Sequence, residues 1–221
     1  MLRGVSMERY LPTGNAFLSL PKINEKTAGI EDLTFLSMQH KGMIEIRGGE
    51  ELPLARPFLQ ADGHPLPLTQ MQWSRDSFWL PVLKGKARGI EFTMTILTPI
   101  GERGFAIRME LAGDVQSAIT WGLEGCWESS WHCINEDKPL DGTMHCYESG
   151  WNHSIVFDFR CGAPMFAFAP MCDREIQSAF SKTDSGISYT LTETFELLPG
   201  GSHSAVFYWG LGFEEVAAAT S

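Results

Sequence analysis

The 221-residue chain has little of what several functional classes need. No run approaches the ~18 apolar residues of a membrane helix, so no membrane partner is expected. Only 17 Lys and Arg stand against 27 Asp and Glu, for a formal charge of −10, and the densest basic stretch is "LKGKAR" at 83–88. Phosphate neutralisation needs a positive stripe, so nucleic acid is not an expected partner either. No apolar stretch of signal-peptide length precedes Glu8, which points to the cytoplasm. The five cysteines, Cys126, Cys133, Cys146, Cys161 and Cys172, are odd in number, which reads as free thiols rather than a disulfide framework. Gly-x-Ser-x-Gly, His-Glu-x-x-His, Cys-x-x-Cys and the phosphate-cradling glycine motifs are missing, and no internal repeat is visible. Helical periodicity is scarce before the last nine residues.

What is present is period two. Ile90, Phe92, Met94 and Ile96 alternate with polar residues, and after the "TPIGERG" turn the pattern resumes at Phe105, Ile107, Met109 and Leu111. This predicts an antiparallel hairpin with those eight side chains on its core face. "GISYTLTETFEL" (186–197), the turn "LPGGS" and "HSAVFYWGL" (203–211) predict a second hairpin. Further strands are expected at "LTFLSM" (33–38), "GMIEIRG" (42–48), "SFWLPVL" (77–83), "SAITWGLEG" (117–125), "HSIVFDFR" (153–160) and "PMFAFAPM" (164–171). Many short strands between Gly, Pro, Asn and Asp clusters define an all-β class, most simply a large antiparallel two-sheet sandwich over residues 1–212, with a short helix beginning at 213–221.

Seven tryptophans are many for this length. Trp73 and Trp79 flank Arg75 and Asp76 in "QWSRDSFW"; Trp121, Trp127, Trp131 and Trp151 fall in a stretch that also holds Glu124, Glu128, Glu148, His132, His145 and His153. Sugars stack on such rings while carboxylates and imidazoles bind their hydroxyls, so twelve of these residues, all but Trp151 and His153, are candidates for a carbohydrate site or a domain interface. The alternative is packing, since Trp fills sandwich cores, and an Arg beside an Asp is commonly a surface pair. In "WHCINEDKPLDGTMHC" two His-Cys pairs invite a zinc reading, but adjacent strand residues point to opposite faces, so His132 and Cys133 do not converge on one ion. Asn135, Glu136, Asp137 and Asp141 miss the calcium-loop spacing. No metal or cofactor is expected.

Three stretches in order, "QWSRDSFWLPVL" (72–83), "TPIGERGFAIRMELAG" (98–113) and "FELLPGGSHSAVFYWGLGFEEVAAA" (195–219), resemble the N-terminal β-supersandwich, a galactose mutarotase-like domain, of six-hairpin (α/α)6 glycosidases and disaccharide phosphorylases. The resemblance covers about residues 33–219. It implies a noncatalytic, carbohydrate-associated β-domain whose last hairpin hands over to a linker helix and a helical catalytic domain. The family's acid and base lie in that helical domain, so no catalytic residue is carried onto this chain. An exposed aromatic patch at 73–79 or 121–151, able to dock the helical domain or to self-associate, is expected. The alternative on the same fold is a stand-alone aldose-1-epimerase-like or sugar-binding protein, with His132, His145 and Glu148 as the acid–base candidates. A plain assembly protein is the third reading.

Overall fold

The eight alternating apolar residues of the first predicted hairpin are all buried, none more than 2% exposed. Their register places Ile107 opposite Ile96, Met109 opposite Met94 and Leu111 opposite Phe92, so one face of the pair is continuously apolar. That pair is the middle of a larger sheet in a computed structural model that describes residues 10–37, 42–67, 72–77, 79–133, 137–213 and 218.

Among the described residues nineteen strands form three antiparallel sheets. The six-stranded sheet runs β1 (Thr13–Gly14), β2 (Leu18–Leu20), β3 (Asp32–Ser37), β4 (Gly42–Arg47), β12 (Ser129–His132), β13 (Lys138–Pro139). The five-stranded sheet runs β17 (Gln177–Thr183), β18 (Gly186–Leu197), β11 (Ser117–Trp127), β5 (Arg56–Ala61), β6 (His64–Pro65). The eight-stranded sheet runs β14 (Thr143–Glu148), β15 (Ile155–Cys161), β16 (Ala163–Cys172), β19 (Gly201–Gly212), β10 (Gly104–Gly113), β9 (Ile90–Leu97), β8 (Leu80–Ala87), β7 (Gln72–Asp76).

The six- and five-stranded sheets lie side by side as one layer. An Ile30–Ala55 bridge joins them, and β11 passes into β12 through Glu128, whose N–H donates to the Arg47 carbonyl. Both pack on the same face of the eight-stranded sheet. Phe35 of β3 meets Phe166; Trp127 of β11 meets Phe157, Phe159, Phe166 and Phe168; Tyr189 of β18 meets Phe157 and Trp209. This aromatic seam is the core of an all-β sandwich, its two layers built from three sheets.

The predicted second hairpin is not one. The turn is tight, with Gly200 at φ 72° and Gly201 N–H donating to the Leu198 carbonyl, but the strands then part. β18 pairs with β11, and β19 crosses to pair with β10 from Gly201 opposite Gly113 onwards. Alternation records which face is apolar and not which neighbour is paired, so a hairpin and a corner between layers look alike in sequence. "SFWLPVL" is also displaced: Ser77 turns at φ 49° and the strand starts at Leu80. Of residues 213–221, Phe213 is exposed and Ala218 is helical and fully buried against the outer face of the eight-stranded sheet, beside Val156, Ala167 and Ala169; the rest of the expected linker helix lies outside the described residues. No helix among the described residues is long and apolar enough to cross a membrane.

Candidate functional site

The twelve candidate residues do not converge on one place. Trp121 and Trp127 are fully buried on the inward face of β11. The run that gives them common parity ends at Glu128, so Trp131 lies on β12 in the neighbouring sheet, half-buried, with the Arg47 guanidinium 4.2 Å above its ring. Trp73 donates its indole N–H to the Glu25 carbonyl at 2.7 Å, Arg75 reaches the Pro12 carbonyl at 3.4 Å, and Thr13 Oγ1 donates to the Trp79 carbonyl at 2.9 Å. These contacts tie Pro12, Thr13 and Glu25 to strand β7 and the turn after it. Asp76 is exposed at the end of that strand, and Trp79 is exposed in the turn after it.

The carboxylates are dispersed as well. Glu124 forms a two-point pair with Arg56, at 2.9 and 2.6 Å. Glu128 lines a separate cavity with Glu31, Asp32, Glu50 and Glu51. His132 and Cys133 face opposite ways: His132 lies where a Cβ on Gly42 would fall, while Cys133 Sγ donates to Glu45 at 3.0 Å. Glu45, Cys133 and Asp137 thus form a three-group cluster in which no histidine takes part, and Arg47 bonds both of its carboxylates, at 2.9 and 3.0 Å. A guanidinium already on both oxygen donors opposes a cation there. Burial, with Glu45 beside it, pushes the Cys133 thiol up to about 12. Asn135 and Glu136 of the proposed acidic loop lie outside the described residues, and His145 is exposed, bonded to Thr143 Oγ1 at 2.9 Å.

Glu148 opens onto a different cleft, a cavity of about 580 Å³ at the rim where the edges of the two layers approach. Its first wall is the loop 149–154. Ser149 N–H donates to the Ser154 carbonyl at 2.8 Å, Ser149 Oγ accepts from Trp151 N–H, and Asn152 Oδ1 accepts from both Ser154 N–H and Oγ. This network holds His153 in the left-handed region, φ 59°, a strained position for a side chain this large. The strained turn sets His153 Nδ1 2.6 Å from Glu148 Oε1 and leaves Trp151 78% exposed at the tip.

Arg174 and Glu175, from the link between β16 and β17, form the opposite wall, and Tyr208 of β19 stands between. Burial, with Cys172 and Asp173 nearby, holds the Tyr208 phenol above its ordinary range, so it stays a neutral hydroxyl. Apolar Ile155, Pro170, Met171, Ile176 and Leu191, with Cys172 and Ser178, complete the lining. Behind the cleft Arg174 Nη1 lies 3.4 Å from Glu193 and 3.1 Å from His203 Nε2; His203 stacks on Phe195, and Trp121 donates its indole N–H to Glu193 Oε2 at 2.8 Å. The buried Trp121 therefore anchors the carboxylate that anchors the guanidinium of the cleft wall. Arg174, Glu175, Tyr208, Glu193 and His203 were not candidates from sequence; the charged break "CDRE" between two strand-like runs is the signal that marks the first two. Apolar floor and ringed donors and acceptors suit a polyhydroxylated ligand, and the exposed Trp151 belongs to the loop that forms one wall without lining the cavity itself.

The sandwich is a galactose mutarotase-like β fold. No protein-family model and no curated protein sequence matches the chain. Among solved structures it is similar to an E. coli K12 putative aldose 1-epimerase, with TM-score 0.60 at 10% identity over 92% of this chain and 98% of that one. A GalM/aldose epimerase homologue from C. elegans gives 0.59 at 8% identity, over 93% and 99%. A putative kojibiose phosphorylase from the human microbiome gives 0.55 at 8% identity, over 90% of this chain but 29% of that one. At such identities the likeness is one of fold.

Proposed function

We propose that the chain is a noncatalytic, carbohydrate-associated β-domain of a glycoside hydrolase or phosphorylase, cytoplasmic, which binds sugar in the rim cleft and packs on a helical catalytic domain. The observation that carries this reading is the cleft itself: the Glu148–His153 pair facing an apolar floor, held by a strained loop on a mutarotase-like sandwich. The accessory role is supported by the phosphorylase match, in which this fold accounts for under a third of the matched chain. Glycoside cleavage usually needs two opposed carboxyl groups about 5–9 Å apart. Glu124 is held by Arg56 and Glu128 lines a different cavity; Glu148 shares its cleft with Glu175 but is bonded to His153, and Glu175→Gln beside Glu148→Gln tests whether that pair cleaves. The cytoplasmic placement draws on five free cysteines.

The test is release of aryl leaving group and reducing sugar from α- and β-glycosides, with and without phosphate, run beside sugar binding by calorimetry. Binding without turnover, weakened in Glu148→Gln, is expected. Turnover that disappears in Glu124→Gln, Glu128→Gln or Glu148→Gln would sink the accessory reading. A second reading, a stand-alone aldose-1-epimerase-like protein, is favoured by matches that span nearly the whole of two epimerase-like chains. The 2.6 Å carboxylate–imidazole contact is chemically suited to proton transfer. Polarimetric mutarotation of α-glucose above the buffer rate, lost in His153→Asn, would establish it in place of the first.

A further inference from the structure

The charges around the cleft are unbalanced, and their bearing on ligand choice rests on the proposal that the cleft binds sugar. Arg174 is the guanidinium of the lining, and each of its nitrogens is engaged within the protein: Nε with Asp173, Nη1 with Glu193 and His203, Nη2 with the Ser204 carbonyl. A ligand carboxylate or phosphate asks for a free guanidinium fork or a cluster of open donors. The carboxylates are less fully cancelled. Glu148 gives Oε1 to His153, and Glu175 has neither hydrogen bond nor ion pair among the described residues. Cys172, its thiol pushed up to about 12 by burial, and Tyr208 add no charge that would offset them. Besides Cys172 and Tyr208, the titratable groups facing the cavity or directly behind it are Glu148, His153, Asp173, Arg174, Glu175, Glu193 and His203, and four of these seven are carboxylates against one permanent cation.

We infer that the cleft is selective by charge: it accepts neutral sugars, favours sugars with a free amine, and turns away uronates and sugar phosphates. Placing like charges together gives specificity by penalising the wrong ligand, and a ligand amine would supply the counter-charge that Glu175 lacks. Because these groups stand in partly solvated positions the discrimination is modest and falls as salt rises.

The experiment is titration of the whole chain at neutral pH and low salt with glucose, glucosamine, N-acetylglucosamine, glucuronate and glucose 6-phosphate, followed by calorimetry or chemical-shift change. The two anionic sugars are expected to bind about fivefold more weakly than glucose, in keeping with the strength of part-exposed charge pairs. Glucosamine is expected to bind more tightly than N-acetylglucosamine, and Glu175→Gln, an exposed and unpaired position, to narrow both gaps. Glucuronate binding as tightly as glucose, or gaps unmoved by Glu175→Gln, overturns the inference while the sugar-binding reading stands. Absence of binding by all five removes both.

Discussion

Trp127 and Trp151 are 24 positions apart in one aromatic-rich stretch, and the fold uses them in opposite ways. Trp127 sits at the centre of the sandwich with four phenylalanine rings around it, and its indole N–H is satisfied by Ser130 Oγ at 3.1 Å. Trp151 stands in solvent at the tip of a loop whose hydrogen bonds are local. One ring is held by everything around it and holds the layers together; the other is presented outward by a turn that spends backbone strain on the presentation. Identical chemistry is therefore buried in the core or presented to solvent according to whether the strand continues or turns.

The sharpest way to break the comparison is to damage the first region. Trp127→Ala opens a cavity in the seam and is expected to lower unfolding free energy by about 3–5 kcal/mol, read by urea denaturation. Gly122→Ala is expected to be comparably damaging, because a Cβ there would fall on the Leu191 carbonyl of the paired strand. A loss under about 1 kcal/mol in both would mean that the layers are not packed as described.

Trp121→Phe probes the join between the regions. It keeps most of the ring but leaves Glu193 with Arg174 and His203 as partners, and is expected to cost about 1–2 kcal/mol, with weaker sugar binding through a displaced Arg174. Thermal unfolding and a sugar titration on one preparation check both halves.

Thiol chemistry separates inside from outside by rate. Burial pushes Cys146 and Cys172 up to about 12, and burial with Glu45 does the same to Cys133, so the thiolate fraction at neutral pH is very small. Cys126 is buried and raised as well, whereas Cys161 is exposed. Alkylation of the folded chain followed by mass spectrometry is expected to label Cys161 first and the other four only on unfolding. Early labelling of Cys172 would show that the rim of the cleft opens.

The smallest effect on stability belongs to the second region. Glu148→Gln and Trp151→Ala remove exposed groups and are expected to shift unfolding free energy by no more than about 0.5 kcal/mol. Asp173 gives a pH counterpart. Burial alone would raise its pKa, but the Val206 N–H and Arg174 outweigh burial and hold it below the ordinary carboxylate value. Its contribution is present above the ordinary carboxylate range and is lost as pH falls through the lowered value, so Asp173→Asn should flatten the acid side of the stability profile.

The legibility of each part in the sequence depends on the kind of information it needs. The β9–β10 pair was readable to the residue, because its partner strand lies just across a short turn and alternation then fixes which faces meet. The β18–β19 corner was not, because its partners, β11 and β10, lie far back in the chain and period two is blind to partner choice. Glu148 was found among aromatics, but its cleft draws Arg174 and Tyr208 from elements 26 and 60 residues away, and no local pattern binds them together. The tryptophan count pointed to sugar for a mixed reason. Two of the six rings singled out are core, two are half-buried and held by neighbours, and two are exposed, of which Trp151 stands beside the cleft.

The central claim is that ligand is met at the rim cleft and not at the tryptophan-rich strands. Seven indole N–H groups report on it directly in a heteronuclear NMR titration with glucose. The account predicts that the Trp151 indole signal moves, together with the backbone signals of Asn152, His153 and Glu175, while those of Trp73, Trp121, Trp127 and Trp131 stay in place. Movement of Trp131 or Trp73 with Trp151 unchanged would contradict it and shift the site to another face of the sandwich.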